Sequence, residues 1–108
     1  MNRNLPEYLG VSIDSWAIEY RVHATKRMFS RSIEETDVKH LLSNGIIIEE
    51  YLTDFPFPSV LINGTSKPNR PLHAVVGIDA KTQRLYLITI YEPDPEKWSE
   101  NYSTRKLL

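Results

Sequence analysis

The hydrophobic pattern of this chain changes its period at Asn44-Gly45, and that change confines it to a mixed fold. Upstream, Val38, Leu41 and Leu42 recur at helical spacing. Downstream, Ile46-Ile-Ile-Glu-Glu-Tyr-Leu52 is rich in β-branched residues that suit a pleated, half-buried surface. A chain of 108 residues has room for one core, so helices and strands must share it.

Local signals set the order of elements. Ile18-Glu-Tyr-Arg-Val22 alternates apolar and polar residues and predicts a strand. A helix over His23–Ser30 turns Ala24 and Met28 inward. Ser32-Ile-Glu-Glu35 has capping-box spacing for a second helix, which should stop at Asn44-Gly45 with the glycine left-handed. Strands are expected at 46–52, 59–62, 72–78 and 85–91, with a loop from Asn63 through Pro68 and Asn69 to Pro71. Asp94-Pro-Glu-Lys-Trp98 reads as a turn into a short final helix. The expected class is α+β: an N-terminal strand, two helices packed on a three- to four-stranded antiparallel sheet, and a short C-terminal helix. Residues 18–108 form the single domain and 1–17 an arm or irregular segment. Met28, Val38, Leu42, Val76, Ile88 and Ile90 are the expected core.

Composition excludes several classes. No apolar run reaches the length of a membrane span, and the N-terminus lacks the basic-then-apolar layout of a signal peptide, so a cytoplasmic protein without membrane contact is expected. There is no cysteine for a disulfide or a thiolate metal site. No close-spaced histidine and carboxylate set suits a metal, the glycines form no phosphate loop, and Ser59, Thr65 and Ser66 lack a nucleophile-elbow context. No metal or other cofactor is therefore expected. With 13 basic and 14 acidic residues, any contact with nucleic acid must use a local patch. Tyr20–Ile33 is such a stretch, since it has no acidic residue.

Two signatures stand out. His23-Ala-Thr-Lys-Arg27-Met-Phe-Ser-Arg31 opens the helical part, and Arg70-Pro-Leu-His73 runs into the strands that end at Tyr91-Glu-Pro93 and lead to Trp98. With Ile33, Val38 and Glu50-Tyr51, these motifs resemble the small family called domain of unknown function 4258, over roughly residues 18–106. That family is similar to the RelE/ParE-like toxins, compact α+β proteins of two helices on an antiparallel sheet. Many of those toxins cleave mRNA without a metal, others inhibit gyrase, and each is usually neutralised by an antitoxin. The resemblance implies a type II toxin acting as a metal-independent endoribonuclease. Its partners would be a small antitoxin protein and RNA or the ribosome. The alternative is a non-catalytic protein-binding domain of the same fold, which the lack of excess positive charge favours.

The side chains suggest where such chemistry would sit. On a helix, His23, Arg27 and Arg31 fall within about 80° of one another. Guanidiniums hold phosphate oxygens in bidentate fashion, which makes Arg27, Arg31 and Arg70 the candidate phosphate ligands. Histidine suits proton transfer near neutral pH, so His23 and His73 are the candidate base and acid. Tyr91 is a candidate to bond the phosphate or stack on a base. A purely structural reading stands beside each: backbone bonding for His23, a packed and carbonyl-bonded His73, ion pairs from the arginines to Glu49, Glu50 or Glu92, and core packing for Tyr91 and Trp98. His40 joins no constellation.

Overall fold

The computed structural model describes residues 3–66 and 69–107. Its centre is a five-stranded sheet. Strands β2 (Ile46–Tyr51), β3 (Ser59–Ser66), β4 (Arg70–Asp79) and β5 (Arg84–Tyr91) form an antiparallel meander, and β1 (Ala17–Tyr20) lies parallel to β5. The sheet order is β1-β5-β4-β3-β2. The α+β class is as expected, but the sheet is larger and one pair is parallel. Alternation over Ile18–Val22 predicts a strand, which is found at Ala17–Tyr20 with Val22 already helical, but it does not reveal a partner more than sixty residues away. The loop expected from Asn63 to Pro71 is mostly strand: Thr65 pairs with Pro71 and Ser66 with Arg70, while Pro68 lies outside the described residues.

Three helices cover one face: α1 (Leu5–Leu9), α2 (Val22–Ser30) and α3 (Glu35–Asn44). The first corrects the expected N-terminal arm. Asn4 and Glu7 close a capping box, with the Glu7 N–H donating to Asn4 Oδ1 at 2.9 Å and the Asn4 N–H to Glu7 Oε1 at 3.0 Å. Leu5 and Ile13 are both buried in the core. Nearby, the Ile47 N–H donates to the Arg3 carbonyl at 2.8 Å, which covers the start of the β2 edge.

Ser32 does not cap α3. It is the left-handed residue that ends α2, with φ 54°, as the Ile33 N–H returns to the Met28 carbonyl at 2.8 Å. The cap of α3 lies two residues on, where Glu34 and Asp37 satisfy each other's backbone N–H groups. Gly45 is likewise not left-handed (φ −70°, ψ 165°) and is required for space. A Cβ there would lie 2.6 Å from Ile62 Cγ2 and 2.6 Å from the Leu41 carbonyl oxygen.

On β4, Leu72, Ala74, Val76 and Ile78 point into the helix-side core, so His73, Val75 and Gly77 face the other way. Of the expected core, Val38, Leu42, Val76 and Ile90 are buried and Met28 packs at its margin. Ile88 is 38% exposed. The register between β4 and β5 shifts next to it, turning Ile88 out.

The expected C-terminal helix is absent. Residues 94–107 make turns and a single bridge between Trp98 and Arg105, folding back over the sheet face opposite the helices. Pro95 and the Asp94 side chain, which accepts the Glu96 N–H at 2.9 Å, favour a turn there. None of the described helices is long and apolar enough to cross a membrane.

Candidate functional site

The C-terminal segment and the sheet enclose His73, whose side chain is fully buried. Its Nε2 lies 2.7 Å from the Tyr102 carbonyl oxygen, and its Nδ1 lies 3.3 Å from the Tyr91 hydroxyl. A carbonyl only accepts, so Nε2 carries the proton in the neutral ring and Nδ1 accepts from Tyr91. Trp98 stands edge-on to the imidazole, with centroids 4.5 Å apart. Burial pushes the His73 pKa down and the Tyr91 pKa up. His73 is therefore held neutral and aligned, with no ring nitrogen free to meet a solute directly.

Tyr102 reaches this position through a strained turn. Its φ is 57°, and its N–H donates to the Ser99 carbonyl at 2.7 Å. Asn63 Nδ2 donates to the Asn101 carbonyl at 2.9 Å, fixing the same turn to β3. Arg105 lies over Trp98, 4.6 Å from the ring centroid, and makes two bonds to Glu49, Nε–Oε2 at 2.8 Å and Nη2–Oε1 at 3.1 Å. Those bonds hold the Glu49 carboxyl below its ordinary pKa. Tyr51 also donates to Glu49, and burial followed by that carboxylate pushes the phenol up to about 12.

Tyr91 opens onto a groove of about 330 Å³ between α2, the end of β5 and the C-terminal segment, lined also by Arg27, Glu92, Asp94, Lys97 and Arg105. The Arg27 guanidinium makes no ion pair among the described residues. Arg70 and Arg31 meet at Glu92: Arg70 Nε lies 2.9 Å from Oε2 and Arg31 Nη1 3.7 Å from Oε1. Arg70 also donates to the Arg31 carbonyl at 2.6 Å, tying the end of α2 to the start of β4. The Arg70 contact comes first in lowering the Glu92 pKa.

The structure thus brings five of the six candidate residues into one region, in different roles. Arg27 and Tyr91 line the groove, His73 backs Tyr91, and Arg31 and Arg70 are engaged by the groove's own Glu92. His23 does not join them. It is exposed and lines a second pocket with Arg21, Phe57 and Tyr86. Arg31 lies just past the helix end, off the stripe that joins His23 to Arg27. Sequence reasoning missed Lys97, Tyr102 and Arg105, because an irregular segment has no periodicity to show where it folds back. The only cue was Trp98, a large aromatic that needs a place to pack.

No curated protein and no solved structure matches the chain. The family described as Domain of unknown function (DUF4258) matches residues 20–92, a narrower span than the motifs suggested. That span holds His23, Arg27, Arg31, Arg70, His73 and Tyr91 and stops before the segment that closes over His73. The chain therefore belongs to the DUF4258 family.

Proposed function

We propose that the protein is a toxin-type, metal-independent endoribonuclease, held in check by a small antitoxin. The observation that carries this reading is the Tyr91 hydroxyl, bonded to a buried neutral histidine and opening onto a groove lined by Arg27 and Lys97. The chain's membership of the DUF4258 family, whose fold resembles that of the RelE/ParE-like toxins, supports it as well. In this mechanism the Tyr91 oxygen takes the proton of the RNA 2′-hydroxyl as Tyr91's own proton passes to His73 Nδ1. The 2′-oxygen then bonds to phosphorus, and the bond to the 5′-oxygen breaks. Lys97 supplies the leaving oxygen's proton, and Arg27 bonds the charged phosphorane oxygens. The products are a 2′,3′-cyclic phosphate and a 5′-hydroxyl. His73 acts through Tyr91, in place of the direct acid–base pair expected of His23 and His73.

Purified protein incubated with single-stranded RNA and a chelator tests the reading. Cleavage to cyclic-phosphate ends is expected, with Tyr91→Phe and Arg27→Ala each slowing it by about a hundredfold. Intact RNA with the wild type, or cleavage indifferent to both variants, overturns it. The second reading, a non-catalytic protein-binding domain, is favoured by one observation: Glu92 engages both Arg31 and Arg70, the guanidiniums that a bound phosphate would otherwise take. It predicts intact RNA together with a stable complex between this chain and a protein partner.

A further inference from the structure

A second pocket, of about 320 Å³, lies further along α2 and β5, where the face left open by the C-terminal segment is aromatic. Phe57 stacks on Tyr86 with ring centroids 5.1 Å apart and planes within 3°. Arg21 lies over the Tyr86 ring, 4.5 Å from its centroid. Phe55 is 94% exposed beside them, and His23 completes the basic side. The acidic lining residue is Asp54, which accepts the Ser59 hydroxyl at 2.5 Å. One exposed ring and two half-buried ones, flanked by a guanidinium and an imidazole, make a costly surface to leave in water. Their chemistry matches a flat, polar-edged ring attached to an anionic backbone.

The position is as informative as the composition. β1 pairs with β5 only as far as Leu87, and beyond that α2 takes its place beside β5. His23 and Arg27 are one helical turn apart on α2, the first lining the aromatic pocket and the second the Tyr91 groove. Tyr86 and Tyr91 stand opposite Gly77 and His73, so with Ile88 taken up in the bulge they lie about 13 Å apart along the sheet. An extended single strand of a few nucleotides covers that distance. Arg21, His23 and Arg27 would follow its backbone, in a stretch from Tyr20 to Ile33 that has no acidic residue.

We infer that the pocket of Arg21, His23, Phe55, Phe57 and Tyr86 is a base subsite, taking one unpaired nucleobase of the single-stranded RNA whose phosphodiester lies at Arg27 and Tyr91. The inference rests on the ribonuclease reading for the second half of that statement and deepens it. Affinity comes from stacking, which every base can supply, so the subsite selects unpaired over paired RNA more than one base over another.

The test is fluorescence anisotropy with a short labelled single-stranded oligonucleotide bearing 2′-O-methyl sugars, which bind but cannot be cleaved. The variants are Phe57→Leu, which keeps apolar volume and removes the ring, and Phe55→Leu, at a site too exposed to affect folding. Binding weaker by about tenfold in Phe57→Leu is expected, as is wild-type weakening when one nucleotide of the probe is made abasic. If circular dichroism shows Phe57→Leu unfolded, Phe55→Leu and the abasic probe decide, and weakening by either supports the subsite. Equal binding by wild type and folded variants, with no penalty for any abasic position, overturns it and leaves the patch to a protein. Cleavage of unmodified RNA separates the two proposals. Ring-dependent binding without cleavage supports the base subsite while the ribonuclease reading falls. Cleavage lost in Tyr91→Phe but untouched in Phe57→Leu and Phe55→Leu overturns the subsite alone.

Discussion

The two faces of the sheet are closed by different means. On the helix side the buried contact is apolar, from Leu41 and Leu42 on α3 to Ile62, Leu72, Val76 and Leu87 on the strands, with the Arg70 tie to the end of α2 at its rim. On the other side an irregular segment is held by a buried histidine, a carbonyl from a strained turn, a tryptophan edge and one exposed arginine. Apolar burial is non-directional and scales with area, so the helix face supplies most of the stability. Polar closure is directional and fails when a partner is lost, so the opposite face gains alignment instead. The groove at Tyr91 and the aromatic pocket both lie at the margin of the directional side, where a fixed hydroxyl and an open ring stack can be presented together.

That contrast predicts a ranking. The largest effect belongs to the helix face: Leu42→Ala should cost about 2–5 kcal/mol, seen as a lower urea midpoint, because it leaves a cavity in a fully buried site. A loss below about 1 kcal/mol would mean that the helical layer is not what holds the sheet.

Next comes His73→Leu, which fills similar space but strips the Tyr102 carbonyl and the Tyr91 hydroxyl of their partner, at about 1–3 kcal/mol. Hydrogen exchange should quicken at the Ser99, Tyr102 and Lys106 amides, all bonded within the C-terminal segment, with little change in α3. Acid adds a second signature. The folded-state pKa of His73 is depressed, so the unfolded chain takes up the proton first as the pH falls below about 6.5. His73's contribution is complete above that pH and is lost on the way down through its native pKa. Wild-type stability should slope there, and His73→Leu should flatten the slope. An unchanged slope, or unchanged exchange in the C-terminal segment, would break the contrast between the faces.

Legibility in the sequence followed the same division. The helix face could be read because its periodicity is a property of neighbouring residues: Val38 and Leu42 follow α3, and Val76 and Ile90 follow their strands. What escaped depended on distant partners. The parallel β1–β5 pair and the return of residues 94–107 over His73 leave no local period. Ser32 shows a subtler failure. Its spacing to Glu35 imitates a capping box, yet the same hydroxyl residue ends the preceding helix in a left-handed turn, a role glycine usually fills. For the candidate site, residue types were legible and roles were not. His73 stands out as an imidazole suited to proton transfer and Tyr91 as a phenol at the end of the last strand, but only the fold shows that one is buried behind the other.

Ser32 supplies a prediction of opposite sign. With φ at 54°, Ser32→Gly should raise stability by about 0.5–1 kcal/mol, because it removes the Cβ penalty while keeping both backbone bonds of the turn. A destabilised Ser32→Gly protein would show that the hydroxyl caps α3 after all. The turn also carries the Arg31 carbonyl that Arg70 grips at 2.6 Å, so a gain here should leave the groove's cation geometry intact.

The smallest effect, and the sharpest test of how the second face is closed, is expected at Glu49. Glu49→Gln exchanges a two-point bond to Arg105 for a neutral one. Because the Arg105 side chain is 60% exposed, solvent screens the pair and the cost should stay below about 1 kcal/mol. Added salt should shrink the difference from wild type further, whereas the His73→Leu deficit, made of buried hydrogen bonds, should hardly respond. The pH windows differ too. Glu49 has its native pKa lowered, first by the Arg105 bond, so its contribution is present above about pH 4.5 and is lost as the pH falls through the native value. Glu49→Gln should therefore flatten the acid limb below pH 4.5 and leave the slope near pH 6 alone, the reverse of His73→Leu. If Glu49→Gln instead removes the slope near pH 6, the carboxylate and the imidazole titrate as one unit. Closure of this face would then be a single coupled network rather than an inner histidine clamp with a screened ion pair at its rim.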